Sequence, residues 1–135
     1  MNNDKRYFFR KADKLKSRKT IQAIFAEGKS FIQFPLKVIW LHAKSTSHLQ
    51  AGVGASSRNF KKAVDRNRIK RLMREAWRLQ KSDLHEELQQ SGKQLSVFII
   101  YVGKELPVYE FIYEKMGTAI KRMRSVINEN TETHI

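Results

Sequence analysis

The stretch that decides the fold is a strongly basic segment with a helical apolar pattern, KKAVDRNRIKRLMREAW at residues 61–77. Its first fourteen positions hold seven Lys or Arg and a single acid, Asp65. Apolar residues recur at spacings of three and four from Ile69 to Leu79, which predicts a helix over residues 61–81. Like charges three and four residues apart repel by roughly 0.2–0.5 kcal/mol per pair, so the segment indicates a partner of opposite charge.

The composition of the whole chain points to the same kind of partner. Its 135 residues include 27 Lys and Arg against 13 Asp and Glu, a formal net charge of +14 that favours polyanions. The hydrophobic content of 41% is enough for a folded core, and the length predicts one domain. Cysteine is absent, which excludes disulfides and thiolate metal sites. Without a membrane-spanning run or a signal-peptide pattern, a soluble cytoplasmic protein is expected.

Helices and strands are predicted to alternate along the chain. A short amphipathic helix runs from Ser17, in a position suited to an N-cap, to Gly28. FPLKVIWLHA at 34–43 and LQAGVGAS at 49–56 are predicted as an antiparallel hairpin around the polar turn KSTSH. A helical piece, SDLHEELQQ, ends at Gly92, and the apolar run LSVFIIYV at 95–102 is predicted as a strand buried on both faces. A last helix follows Pro107.

This order predicts an α/β fold, a small sandwich in which helices pack on a sheet, without internal repeats. Residues 13–127 are expected to form the single domain. Residues 1–12 are expected to be a flexible basic arm, and residues 128–135 a frayed tail.

A helical wheel separates the basic helix into an apolar stripe and a basic side that carries Asn67, Lys70, Arg71, Arg74 and Arg78, with Arg66 and Arg68 beside it. Arginine dominates this side, and its planar fork suits bidentate contacts with phosphate. Asn67 adds both a donor and an acceptor, which suits a base edge, a ribose hydroxyl or a hydrated metal ion. A merely solvated face is the plain alternative, but such faces normally mix charges of both signs. A DNA-reading helix is disfavoured because a strand, and no partner helix, precedes this segment.

The segment AVDRNRIKRLMRE, with its Arg66-Asn67-Arg68 centre, resembles the signature of the bacterial ribonuclease P protein component family. The first helix and the order of the later elements are similar to that family over about residues 12–124. The resemblance implies a mostly antiparallel sheet and a left-handed βαβ crossover of the ribosomal protein S5 domain 2 type. This chain departs from the family pattern before the helix, where Arg58 and Asn59 replace a basic pair and Lys61 replaces a glycine.

The resemblance also implies a function, namely help in removing the 5′ leader of precursor tRNA. Cleavage would be carried by the catalytic RNA subunit with Mg²⁺, and no catalytic residue, metal ligand or bound cofactor is expected in the protein. No membrane or DNA partner is expected. The residues expected to bind the leader in a cleft between the sheet and the first helix are Phe25, Trp40, Arg66, Asn67, Lys70 and Arg74. Those expected to bind the catalytic RNA are Arg58, Lys61, Lys62, Arg68, Arg71 and Arg78.

The aromatic assignments have structural alternatives. Phe25 lies on an amphipathic stripe and could equally belong to the core. Ile39 could take the position given to Trp40, and Trp77, at the border of the apolar side, is expected in the core. An independent nuclease is disfavoured because Asp65 stands alone and the histidines lack ligand spacing. A structural RNA-binding protein of ribosomal type, without a role in tRNA cleavage, is the remaining alternative.

Overall fold

The computed structural model describes residues 13–42 and 48–133, with side chains described as far as residue 127. Within these residues the helices and strands lie in the order α1 Arg18–Glu27, β1 Lys29–Gln33, β2 Leu36–Leu41, β3 Leu49–Ala55, α2 Ala63–Gln80, α3 Ser82–Ser91, β4 Leu95–Tyr101 and α4 Tyr109–Thr133. The arm predicted over residues 1–12 and most of the predicted turn at 44–48 lie outside the described residues.

The strands form one mixed sheet in the spatial order β1-β2-β4-β3. The pairs β1 with β2 and β2 with β4 are antiparallel, and β3 with β4 is parallel, so the sheet is mostly antiparallel as predicted. The parallel pair is joined through α2 and α3, which makes the basic helix part of a crossover connection. The predicted α/β class is therefore confirmed.

The predicted hairpin between β2 and β3 is wrong, because β4 lies between these two strands. The hairpin partner of β2 is β1, a short strand reached through a turn at Phe34 and Pro35. The central position gives β4 a hydrogen-bonded neighbour at each edge, and its almost continuous apolar run is covered by α1 on one face and by α2 and α4 on the other. The predicted burial of β4 holds on the side of α2 and α4, whereas Phe98 and Ile100 on the other side are only partly buried. The neighbours of β4 in the sheet were not predicted.

The two faces of the sheet carry different helices. On one face, alternate residues of β2 and β4, among them Val38 and Val97, share the main core with α2 and α4. On the other face, Ile39 packs with Ile24 of α1 in a smaller core that includes Leu15. Because successive strand residues point to opposite faces, α1 lies on one side of the sheet and α2 with α4 on the other.

Helix α1 begins where its sequence predicts. The Ser17 side chain accepts a hydrogen bond from the Thr20 N–H at 3.2 Å, which satisfies one free donor of the first turn. The helix ends at Gly28, whose backbone is extended and not left-handed. A Cβ atom at this position would lie 2.5 Å from the Ile24 carbonyl oxygen and 2.8 Å from that of Trp40. Glycine is therefore required here by the close approach of α1 to β2.

Gly28→Ala is expected to destabilise the fold by roughly 1–3 kcal/mol, because both close neighbours of the new methyl group are backbone atoms that cannot rotate away. Thermal or urea unfolding of the purified variant measures this loss. Gly92→Ala provides a comparison of a different kind, since Gly92 has open space around its Cβ position and a φ of 72°. Its cost is expected to come from the left-handed backbone alone, at about 1 kcal/mol. Equal stability of Gly28→Ala and the unmodified protein would contradict the packing explanation.

Helix α2 spans Ala63–Gln80, close to the predicted range of 61–81. Its buried residues are Ile69, Met73, Ala76 and Trp77, so the prediction of a core position for Trp77 is confirmed. Helix α3 ends at Gly92 in the left-handed conformation, as the sequence indicated.

Helix α4 continues through Thr133, and residues 134 and 135 of the predicted tail lie outside the described residues. In the part of the chain that the structure describes, no helix combines the length and apolar character needed to cross a bilayer.

Candidate nucleic-acid interface

The outward side of α2 presents the charged residues predicted from the sequence. Asn67, Arg68, Arg71 and Arg74 are exposed, while Arg66, Lys70 and Arg78 are partly buried beside them. We call these seven residues the basic face. The acids of α2 are Asp65 near its start and Glu75, so the surface is strongly cationic.

Two members of the basic face already have partners within the protein. Arg66 donates from Nη1 to the backbone carbonyls of Phe60 at 2.8 Å and Lys61 at 2.9 Å, which fixes the loop before α2. Arg78 makes a forked contact with Glu75, with its Nη2 atom 2.7 Å from Oε2 and its Nε atom 3.1 Å from Oε1. The hydrogen bond from Arg78 lowers the pKa of the Glu75 carboxyl below its ordinary value. The Arg66 guanidinium keeps further N–H groups for an incoming phosphate.

The loop before α2 is shaped by Asn59, one of the residues that depart from the family pattern. Its Nδ2 atom donates to the carbonyls of Val102 at 3.3 Å and Gly103 at 3.2 Å, just beyond the end of β4. Asn59 is therefore a structural residue, whereas the neighbouring Arg58 is exposed.

A second surface, on the side of the sheet that carries α1, is apolar and aromatic. Phe25 is 51% exposed and its ring lies 5.4 Å from that of Phe98 on β4, at a tilt of 59°. The strand register puts Ile32, Lys37 and Ile100 in a row across β1, β2 and β4 on this side. We call Phe25, Ile32, Lys37, Phe98 and Ile100 the aromatic face.

Two glycines of β3 give Phe98 its place in the aromatic face. A Cβ atom at Gly52 would come within 3.0 Å of the Phe98 ring, and one at Gly54 within 3.1 Å. Without these side chains the ring can lie over the neighbouring strand. The sheet therefore offers a shallow surface with two aromatic rings, of the type on which bases stack.

The assignment of Trp40 to leader binding is corrected by its position. Its side chain is only 3% exposed and belongs to the main core, on the side of α2 and α4. The alternative residue, Ile39, does point toward α1 but is itself buried beneath that helix. Neither residue is accessible to a base. Phe98, which the sequence analysis did not single out because it stands in a continuous apolar run, is the second accessible ring.

Lys70 and Arg74 do not lie in a cleft between the sheet and α1 together with Phe25, because α1 and α2 lie on opposite sides of the sheet. Helix α4 packs along one flank of α2, where Gln80 Nε2 donates to the Tyr113 carbonyl at 3.0 Å. Strand β3, which also packs against α2, forms the edge of the sheet. The aromatic face and the basic face are therefore separated by the edge at β3.

The described residues offer little for acid-base or metal chemistry. In residues 13–42 and 48–133 there is no group of three or more histidine or acidic side chains close enough to hold a metal ion. The ring Nδ1 atoms of His42 and His48 lie 3.1 Å and 2.8 Å from the backbone carbonyls of Gln94 and Lys93. Burial, followed by the charge of Lys81, lowers the pKa of His85. These contacts are typical of histidines with structural roles.

Comparison with known proteins identifies the family. The family model described as ribonuclease P matches residues 9–124. A ribonuclease P protein component of Porphyromonas gingivalis is 33% identical over 117 residues and covers 84% of both chains. One from Chlorobium phaeobacteroides is 31% identical over 127 residues, covering 85% of this chain and 87% of its own.

Solved structures show the same fold. The RNase P protein of Staphylococcus aureus superposes with a TM-score of 0.63 at 22% identity, over 84% of this chain and 96% of its own. That of Thermotoga maritima gives 0.61 at 24% identity, over 81% and 96% of the two chains. These matches agree with the presence of a basic helix in the crossover connection. This chain therefore belongs to the family of ribonuclease P protein components.

Proposed function

We propose that this protein binds the catalytic RNA of ribonuclease P and the 5′ leader of precursor tRNA, and so assists the removal of the leader. Hydrolysis is carried by the RNA subunit with Mg²⁺. Both partners are RNAs of the cell interior, which makes the cytoplasm the expected location. The observation that carries this proposal is the presence of two accessible surfaces of different chemistry on opposite sides of one sheet.

The basic face is suited to structured RNA. Arg68 and Arg71 are exposed on the outward side of α2, and Arg58, Lys61 and Lys62 are exposed just before it. Guanidinium groups arranged along a rigid helix can engage several phosphates of a folded RNA without reading its sequence. We therefore assign the catalytic RNA to Arg68, Arg71 and Arg78 of the basic face and to the three exposed cations of the preceding loop.

The aromatic face is suited to a single strand. Phe25 and Phe98 provide rings for unstacked bases, and Lys37 provides a cation for the backbone. Lys70, Arg74, Asn67 and Arg66 are assigned to the part of the leader nearest the cleavage site, where the strand passes over the edge at β3. Its first nucleotides would then contact α2, and the next ones the aromatic face.

The aromatic face also distinguishes this proposal from the alternative of a structural RNA-binding protein. A protein that only packs into folded RNA needs a basic surface. Such packing does not require a half-exposed Phe25 above Phe98. Exposed aromatic area is costly in water, and a single-stranded ligand explains its presence.

A reconstitution experiment tests whether the RNA subunit carries out the cleavage and the protein assists it. Rigorously RNA-free protein is expected to leave precursor tRNA intact at every Mg²⁺ concentration, because its described residues contain no acid or histidine cluster. Addition of the protein to a bacterial ribonuclease P RNA is expected to restore 5′ cleavage at low Mg²⁺, where the RNA alone is inactive. Specific cleavage by the protein alone, or no effect of the protein on the RNA, would contradict the proposal.

A further inference from the structure

Three cationic side chains on the side of β1 and α4 lie over aromatic rings. The Arg122 guanidinium carbon is 4.5 Å from the centre of the Phe31 ring. The Nζ atoms of Lys115 and Lys29 lie 5.6 Å and 5.8 Å from the ring centres of Phe111 and Trp40. We call Lys29, Lys115 and Arg122 the β1–α4 cations. They lie outside both surfaces described above.

The β1–α4 cations differ in their ion pairing from Arg124, a basic residue of the same helix α4. Arg124 is held by Glu87 and Asp83, so its charge is neutralised within the protein. No ion pair joins the β1–α4 cations to an acid among the described residues, and Lys29 and Arg122 are exposed. A cation held over a ring is positioned without loss of its charge, and its N–H groups on the outer side remain available. Such groups suit an incoming phosphate.

The contacts of Arg122 favour a nucleic acid over a peptide at this position. Its Nη1 atom donates to the Ile32 carbonyl at 2.9 Å and lies 3.4 Å from Gln33 Oε1. Strand β1 is the outer strand of the sheet, and this bond occupies a carbonyl near its end. A peptide strand that added to the edge would compete with the guanidinium there.

The β1–α4 cations lie where a strand leaving the aromatic face would arrive. Ile32 belongs to the aromatic face, and its neighbour Phe31, beneath Arg122, points to the opposite side of the same strand. From β3 to β1 the sheet is about 14 Å wide, at ~4.8 Å per strand. Arg122 and Lys115 are seven residues apart on α4, or about 10 Å along the helix axis. Consecutive phosphates of a single strand can therefore reach several of these groups.

We propose that the β1–α4 cations bind phosphates of the 5′-distal part of the leader, beyond the nucleotides that lie on the aromatic face. This inference rests on the proposed function of the aromatic face. The leader would run from α2 over β3, across the sheet and over β1 to α4.

Precursor tRNAs with leaders of different length test whether the β1–α4 cations bind the distal part of the leader. Precursor tRNAs with leaders of ~4 and ~16 nucleotides, which span the common range of single-strand site sizes, are compared with mature tRNA in the reconstituted enzyme. Replacing Lys29, Lys115 and Arg122 together by Gln is expected to weaken binding of the long-leader substrate by up to about fivefold per cation. The slope of log K against log[salt] should fall by ~0.7 per lost contact for this substrate alone. Short-leader and mature tRNA should bind as before.

Single variants keep the test independent of folding. Lys115→Gln leaves the bond between Arg122 and Ile32 in place and is matched by Lys121→Gln, the same change at an exposed lysine on another side of α4. Only Lys115→Gln should weaken long-leader binding. Unchanged binding in folded Lys115→Gln and triple variants, or an equal loss for all three RNAs, would overturn the inference. If the unmodified enzyme showed no preference for any leader over mature tRNA, the proposed function itself would fail.

Discussion

Binding of the catalytic RNA is expected to weaken roughly a thousandfold between 50 and 200 mM salt. The six residues assigned to this RNA would neutralise about six phosphates, and the release of their counterions gives a slope of log K against log[salt] of roughly 0.7 to 0.9 per contact. Filter binding or fluorescence titration at a series of salt concentrations measures this slope. A slope near zero would contradict the electrostatic account of the basic face.

Single substitutions locate the charges responsible for that slope. Lys61→Gln, just before α2, is expected to reduce the slope by about one. Lys121→Gln makes the same chemical change on α4, on the other part of the molecule, and is expected to leave the slope unchanged. The two lysines are both exposed, so neither change should alter stability appreciably. Identical effects of the two variants would show that net charge alone, and not the position of the cations at the start of α2, determines binding.

The second large effect is expected at Phe25. Because loss of a stacking ring costs ~1–3 kcal/mol per base, Phe25→Ala should weaken precursor tRNA binding by about 5- to 150-fold. Mature tRNA has no leader and should bind almost normally. Since Phe25 is half exposed, its truncation should cost little stability.

Trp40→Ala is the contrasting variant, because its ring is buried in the main core. Truncation of a buried aromatic residue typically costs 3–5 kcal/mol of folding free energy. Any loss of binding by Trp40→Ala should therefore follow the loss of folded protein and affect precursor and mature tRNA equally. Unfolding curves and parallel titrations with both RNAs separate the two behaviours. A leader-specific defect in well-folded Trp40→Ala would contradict the corrected assignment.

The sequence was sufficient for the helices because their signals are local. Ser17, Gly92 and the three- and four-residue spacing of α2 each act within one or two turns. Strand pairing is not local, and a pattern of apolar residues does not state which strand lies beside which. For this reason the place of β4 between β2 and β3 was missed.

The local nature of sequence signals also explains which residues of the candidate site could be predicted. The basic face could be predicted because charge and helical period together define it. In β2 the run VIWL is apolar at every position, so alternation alone could not decide whether Ile39 or Trp40 pointed toward α1. Phe98 is accessible only because Gly52 and Gly54 lie beside it on β3, a relation between residues more than forty positions apart.

Photo-crosslinking of the leader tests the central claim most directly. A precursor tRNA with a single thiouridine a few nucleotides upstream of the cleavage site is bound to the reconstituted enzyme, irradiated, and the cross-linked peptides are identified. Cross-links are expected in the peptides that carry Phe25 and Phe98, and they should disappear when unlabelled precursor tRNA is added in excess. Cross-links confined to peptides of α2, with none on the aromatic face, would contradict the account.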